Sequence, residues 1–172
     1  MERSSLSITE ADRQAVAALL GRAPRGLEEV SVRNAAGEPS VIRVAPLVDD
    51  KPFPTLYWLV DREISYRIDQ EEASGLIAQL QDQINADSSL QTQMAEDHRR
   101  YKARREAYMS EQDRQRVKAL GFGDVFETKG IGGIADTSRI RCLHTWYAAH
   151  LVESNTVGRM LDDYWAGSAE SN

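Results

Sequence analysis

The chain has 172 residues, 41% hydrophobic and 28% charged, with net charge −6, which suits one globular domain over 1–172 and argues against a general nucleic-acid binder. One cysteine excludes an internal disulfide and a Cys-rich zinc site, and fits a reducing compartment. The first ten residues lack the apolar core of a signal peptide and no uncharged run approaches the roughly 18 residues that cross a bilayer, so a cytoplasmic protein without membrane association is expected, with frayed ends at about 1–6 and 167–172.

Thr9-Glu-Ala-Asp12 reads as a capping box that opens a helix through Val16, Leu19 and Leu20, and Gly21 is its natural stop. Arg22–Gly26 is a turn-rich connector. Leu27–Arg33 alternates Val30 and Val32 against Ser31 and Arg33 as a first strand. Asn34–Glu38 closes a hairpin in which Gly37 supplies a positive φ. Ser40–Ala45 returns, with Pro39 and Pro46 at its ends, where a missing N–H is tolerated. After Lys51-Pro-Phe-Pro54, held extended by its prolines, Thr55–Val60 is apolar on both faces and needs a layer on each side. From about Glu63 the chain turns helical. Ala73, Leu76, Ile77, Leu80 and Ile84 form one buried stripe. Asn85–Ser89 interrupts it, with Asp87 or Ser88 able to cap the next helix. That helix, about Leu90–Tyr108, is highly charged and is expected to project from the body. Ser110–Asp113 is a second capping box, opening a short helix to Leu120; Gly121-Phe-Gly123 ends it and a loop runs to Ile134. A helix over Arg139–Val152, a turn at Glu153–Thr156 and a short helix through Leu161 follow. The expected class is α+β: a small three-stranded antiparallel sheet, an N-terminal helix and a mainly helical C-terminal half.

Chemistry concentrates in 130–150, where a Gly-rich approach meets the one cysteine, two of the three histidines and two arginines. At 100° per residue Ile140, Leu143, Tyr147 and Leu151 face the core, and Arg139, Cys142, Trp146 and His150 form a second stripe. On such a helix Cys142 and His144 fall about 200° apart, too far to share an ion, and zinc needs further ligands; no metal is expected. A nucleophilic Cys142 would draw on Arg139 to favour its thiolate and on His150 as base. The alternative is inert packing, because free cysteine is among the most buried residue types.

Ahead of the helix, Lys129-Gly-Ile-Gly-Gly133 offers backbone N–H groups, with Thr137 or Ser138 as cap. Lys129, Gly130, Gly132, Gly133, Ser138, Arg139, Arg141 and His144 make a candidate site for a phosphate or carboxylate at a helix N-terminus. The alternative is a connector whose glycines permit tight turns. The segment lacks the Gly-Lys-Ser/Thr ending of a phosphate loop. Gly130, Gly132 and Ala135 match a loose dinucleotide pattern without a parallel βαβ unit around them. His98–Arg105 is the main basic cluster. Arg100, Arg104, Lys102 and Tyr101 suit an acidic surface or nucleic acid, but Glu96, Asp97 and Glu106 invite ordinary pairing along a solvated helix face.

Leu20-Gly-Arg-Ala-Pro-Arg-Gly26, Pro52-Phe-Pro-Thr-Leu-Tyr57, Glu72-Ala-Ser-Gly75 and Arg141-Cys-Leu-His144 with His150 resemble the bacterial family catalogued as domain of unknown function 501, over roughly Leu20–Met160. The resemblance implies a bacterial cytoplasmic protein of unassigned activity. The family's pattern often carries further cysteines in the first hairpin and at the end of the third strand, where this chain has Asn34, Ala35, Ala36 and Asp61. A metal site built on those cysteines would be largely lost here. The expected function is a non-catalytic binding or regulatory protein that takes a small phosphate-like anion at the Gly-rich loop, with Arg22 and Arg25 as further cations. Two alternatives stay open: a small enzyme with Cys142 as nucleophile, and an adaptor whose 90–108 helix docks a protein partner. No cofactor is named by these residues.

Overall fold

The computed structural model describes residues 8–170. In α1 (Glu10–Leu20) the Thr9 hydroxyl accepts the Asp12 amide, the Asp12 carboxylate accepts the Thr9 amide, and Gly21 closes the helix at φ 71°. β1 (Leu27–Arg33) and β2 (Pro39–Val44) form an antiparallel hairpin. Its turn is set by the Asn34 side-chain oxygen, which accepts the Ala36 and Glu38 amides. A second hairpin, β3 (Leu47–Val48) with β4 (Lys51–Pro52), went unread in the sequence. It turns on Asp49 and Asp50 at φ 51° and 59°, a conformation that Asp tolerates better than most residues. β5 (Tyr57–Leu59) then pairs with β2, giving a three-stranded antiparallel sheet in the order β1-β2-β5.

Both faces of the sheet are covered, as the doubly apolar third strand requires. Val16 of α1 packs with Leu27, Ile42, Val44 and Val60 on one side, joined by Trp58. Val41 and Tyr57 enter the main core on the other. That core is roofed by α2 (Arg62–Ala73), α3 (Leu76–Asn85), α4 (Ser88–Tyr108), α5 (Glu111–Ala119), α6 (Gly123–Thr128), a 3₁₀ turn at Ile131–Gly133, α7 (Leu143–Val152) and α8 (Thr156–Glu170).

Five expectations need correction. The stripe 73–84 belongs to two helices: Gly75, at φ 91°, breaks the chain, and Ala73 is an exposed residue of α2. The loop from Gly121 to Ile134 holds α6 and the 3₁₀ turn. The last helix continues past Leu161 to Glu170, so 167–170 are helical; the remaining end residues, 1–6 and 171–172, lie outside the described residues. The helix expected from Arg139 begins at Leu143. Its second stripe enters the core as well: Trp146 is 0% exposed, like Leu143 and Ala148. α7 is the central helix, set against β5, α2 and α8.

The charged helix does not project either. Met94, Asp97, His98, Tyr101 and Arg105 form its buried stripe, and each polar member satisfies backbone groups of another element. Asp97 Oδ2 accepts the Thr156 amide at the start of α8, 2.8 Å. The His98 Nδ1 accepts the Ile131 amide, 3.0 Å. The Tyr101 hydroxyl accepts the Leu56 amide, 2.6 Å. Arg105, 2% exposed, donates to the carbonyls of Pro54, Phe126 and Lys129 at 2.6–2.8 Å. Two of these belong to the C-terminal end of α6, where orphaned carbonyls favour a cation. Arg100 pairs with Asp97, and Arg104 with Glu153, so this basic cluster is occupied largely by its own chain.

Candidate functional site

The late start of α7 creates the site. Asp136 folds an Asx turn, its Oδ1 accepting both the amide and the hydroxyl of Ser138. The Gln81 amide side chain then clamps the next residues, accepting from Ile140 N–H and donating to the Ser138 carbonyl, each at 2.9 Å. Held extended in this way, the chain reaches Cys142 at φ −152°, ψ 126°, which becomes the N-cap residue of α7. Glu72 Oε1 accepts the first helical amide, Leu143 N–H, at 2.9 Å. A carboxylate at this position satisfies an orphan donor and suits the positive end of the helix dipole.

Because Cys142 stands outside the helix, the 200° separation from His144 does not apply. Cys142 Sγ lies 3.6 Å from His144 Nδ1, and Glu72 Oε1 lies 3.2 Å from the same nitrogen. The opposite ring nitrogen, Nε2, meets Asp69 Oδ1 at 2.8 Å. Asp69 and Glu72 are three apart on α2 and therefore share a face. One ligand atom each from Glu72, Cys142 and His144 lies within 4.8 Å of the others, all three residues half-buried. Burial opposes ionisation of the Cys142 thiol, but the His144 hydrogen bond and the Thr145 amide outweigh both burial and the repulsion of Glu72, and lower its pKa. The same contact with Cys142, exceeding the effect of burial and helped by Glu72 and Asp69, raises His144 to about 9.

The remaining sequence candidates disperse. Gly130 is buried against His98: a Cβ there would lie 2.1 Å from His98 Nδ1. Its amide donates to Ile134, and the Gly133 amide donates to Gly130. Gly132, at φ 81°, offers its carbonyl to Arg141 at 3.5 Å. The Lys129 carbonyl receives Arg105. Ser138 is held by Asp136, and Arg139 borders a separate cavity with Gln81, Asn85 and Asp136. This Gly-rich approach therefore packs closely on α4, with several of its backbone donors engaged internally. His150 stands about 12 Å along the helix from Cys142 at 1.5 Å per residue, and its Nε2 meets Asp162 Oδ2 at 2.7 Å while Nδ1 accepts the Asn155 amide. The residue beside Cys142 is His144.

Asp69 and Glu72 were not singled out from the sequence. The one available signal was the Asp-x-x-Glu spacing on a helix, which many solvated helix faces share.

Beside His144 and Thr145 an open groove of about 340 Å³ runs along Phe53, Thr55, Tyr57, Trp58 and Leu59. A second cleft, about 330 Å³, shares Phe53 and Trp58 with it but is floored by Ile42 and Val44 of the opposite sheet face, and Arg22, Arg25 and Lys51 also line it. Blocks 52–57, 72–75 and 141–144, distant in sequence, thus meet at the groove and the cluster beside it, and block 20–26 lines the second cleft. Asn34 and Asp61 line a different cavity, against α1.

Residues 30–163 match the family described as "Protein of unknown function (DUF501)"; this is more than half of the 172 residues, and the chain belongs to that family. No curated protein and no solved structure matches it. No helix among the described residues is long and apolar enough to cross a membrane.

Proposed function

We propose that this member of the DUF501 family is a single-ion metal protein of the zinc class, with Cys142 Sγ, His144 Nδ1 and Glu72 Oε1 as ligands. The observation that carries the reading is the meeting of three electron-pair donors around one point. The raised pKa of His144 keeps a proton on Nδ1 in the metal-free protein; with the Nε2 proton directed to Asp69, a cation that displaces the Nδ1 proton meets a lone pair, a thiolate and a carboxylate together. A proton on Nδ1 serves the two edges that meet at the nitrogen and leaves Sγ facing Oε1, whereas a divalent cation relieves all three.

The spacing supports this. Zn–S near 2.3 Å and Zn–N or Zn–O near 2.0–2.1 Å at tetrahedral angles place S and N about 3.6 Å apart, and N and O about 3.3 Å apart. The corresponding separations here are 3.6 and 3.2 Å. Asp69 behind His144 reproduces the carboxylate–histidine–metal arrangement that fixes the tautomer and orientation of a ligand. Three protein ligands leave a fourth position for water or substrate, the pattern of catalytic rather than structural zinc. An ion there supplies Lewis acidity or a bound water of lowered pKa.

Titration of the metal-free protein with cobalt(II) tests this reading. The expected result is one equivalent bound with a thiolate-to-metal charge-transfer band, and affinity reduced about 100-fold or more in Cys142→Ser and His144→Ala, by analogy with the loss of orienting contacts alone. A spectrum without that band, or affinity unchanged in Cys142→Ser, refutes it.

A second reading is favoured by the Cys142–His144–Asp69 order, which is that of a nucleophile, a base and an orienting carboxylate. Against it, Glu72 repels a thiolate and its carboxylate already occupies the Leu143 amide. Fast alkylation of Cys142 by iodoacetamide at neutral pH, unaffected by zinc, would favour the nucleophile.

A further inference from the structure

We infer that the paired clefts beside this site take a small amphipathic anion, with its head on Arg22 and Lys51, its apolar body across Phe53 and Trp58, and a neutral polar end toward His144. The inference deepens the metal reading and rests on it for the direction in which the ligand lies.

Size and lining point to a small molecule. Each cleft falls within the range of about 300–1,000 Å³ usual for ligand sites, which are mostly apolar with a few fixed polar groups. Their shared wall is the Phe53–Trp58 pair, with ring centroids 6.3 Å apart and planes at 46°. On the far side of that wall the floor is Leu20, Ile42 and Val44. An apolar body laid over the edge at Phe53 and Trp58 has aromatic surface there and aliphatic surface in each cleft to cover, and its transfer from water drives binding.

Charge sets the direction. The chain as a whole is acidic, at −6, yet the rim of the outer cleft gathers Arg22, Arg25 and Lys51. Asp49 pairs with Arg25, which leaves Arg22 and Lys51 to meet a ligand. Arg22 is held over the face of Trp58, 5.7 Å from the ring centroid to the guanidinium carbon, so a head bound there sits at the edge of the apolar wall. At the opposite end, the thiolate and the Glu72 carboxylate offset the charge of a divalent ion, and Asp69 stands behind His144. An anionic head gains nothing at that end; a carbonyl or hydroxyl suits the open position.

Octyl phosphate is the probe, titrated by calorimetry into full-length protein that is either zinc-loaded or chelator-treated. The expected result is saturable binding that weakens about tenfold or more in the double variant Arg22→Ala, Lys51→Ala, and again in Trp58→Ala. Both cations are exposed, so the double variant folds and carries the test without Trp58→Ala, whose residue packs on the core. Inorganic phosphate, lacking the body, and octyltrimethylammonium, bearing the wrong charge, are expected to give no heat. Equal affinity for octyltrimethylammonium, unchanged affinity in the double variant, or attachment only to anionic phospholipid vesicles would overturn the inference. Zinc content measured on the same samples separates the two ideas. A protein that loads zinc but ignores octyl phosphate defeats the ligand inference alone. Binding of octyl phosphate without any zinc uptake defeats the metal reading, and with it the assigned direction, while the head position at Arg22 and Lys51 stands.

Discussion

Two clusters in this molecule, each centred on a histidine with an acidic neighbour, serve opposite ends. Around His98 on α4, Asp97, Tyr101 and Arg105 are each matched to a backbone group of a different element, and the cluster is sealed, with His98 1% exposed. Around His144 the partners are other side chains, Cys142, Glu72 and Asp69, and the cluster opens on a groove. In the first, donors meet acceptors and the helices are tied together. In the second, two carboxylates and a thiolate crowd one imidazole, and only the protons of His144 stand between them. Ties to the backbone of other elements mark the structural cluster, although the buried Nε2 of His98 has no partner; side chains gathered on a groove mark the functional one.

The comparison is broken most directly at Arg105. Arg105→Ala leaves three interior carbonyls without their donor and is expected to destabilise the fold by about 3 kcal/mol or more, measured by urea unfolding. A change under about 1 kcal/mol would mean that the α4 cluster is not structural.

His98 sharpens the same point through pH. Burial lowers its pKa to about 4 from 6.5. The folded state thus keeps the ring neutral where the unfolded chain protonates. The contribution is fully present above about pH 6.5 and is lost as pH falls toward 4. It amounts to something on the order of 3 kcal/mol. His98→Gln should flatten the stability profile between pH 7 and 4.5; an unchanged slope would sever His98 from the acid response.

The second cluster should behave in the reverse way. Cys142→Ser is expected to change the stability of metal-free protein by under about 1 kcal/mol. It should abolish the gain of about 2.7 kcal/mol that zinc at a hundredfold excess over Kd gives the parent protein. Thermal melts with and without zinc read both quantities. The smallest effect is expected of Asp69→Asn, which keeps the contact to His144 but loses its charge: about tenfold weaker zinc binding with the melting temperature of the metal-free protein unmoved.

What the sequence made legible was local. The Thr9–Asp12 box, the Gly21 stop, the Asn34–Gly37 hairpin and the Asp87 cap carry their signals within a few residues, and the structure bears them out. Long-range ties were illegible. Apolar residues at 140 and 143 continue a helical period, yet the helix starts at Leu143 because Glu72 and Gln81, 71 and 59 residues away, take the amides of Leu143 and Ile140. The burial of α4 was missed for a related reason. Its inward stripe at 94, 97, 98, 101 and 105 has helical spacing, but mostly polar residues fill it, and a polar residue reads as core only once its distant backbone partner is known. The candidate site was half visible: Cys142 and His144 stood out by rarity, whereas Asp69 and Glu72 resembled any other acids on a helix.

The contact between Gly130 and His98 has a consequence for how such chains can vary. With only 2.1 Å between the imidazole and a methyl group at 130, neither position accepts bulk unless the other gives it up. Substitutions at the two places are thus bound to travel as a pair: an alanine at 130 is admissible only beside a smaller side chain at 98, and that replacement must still accept the Ile131 amide.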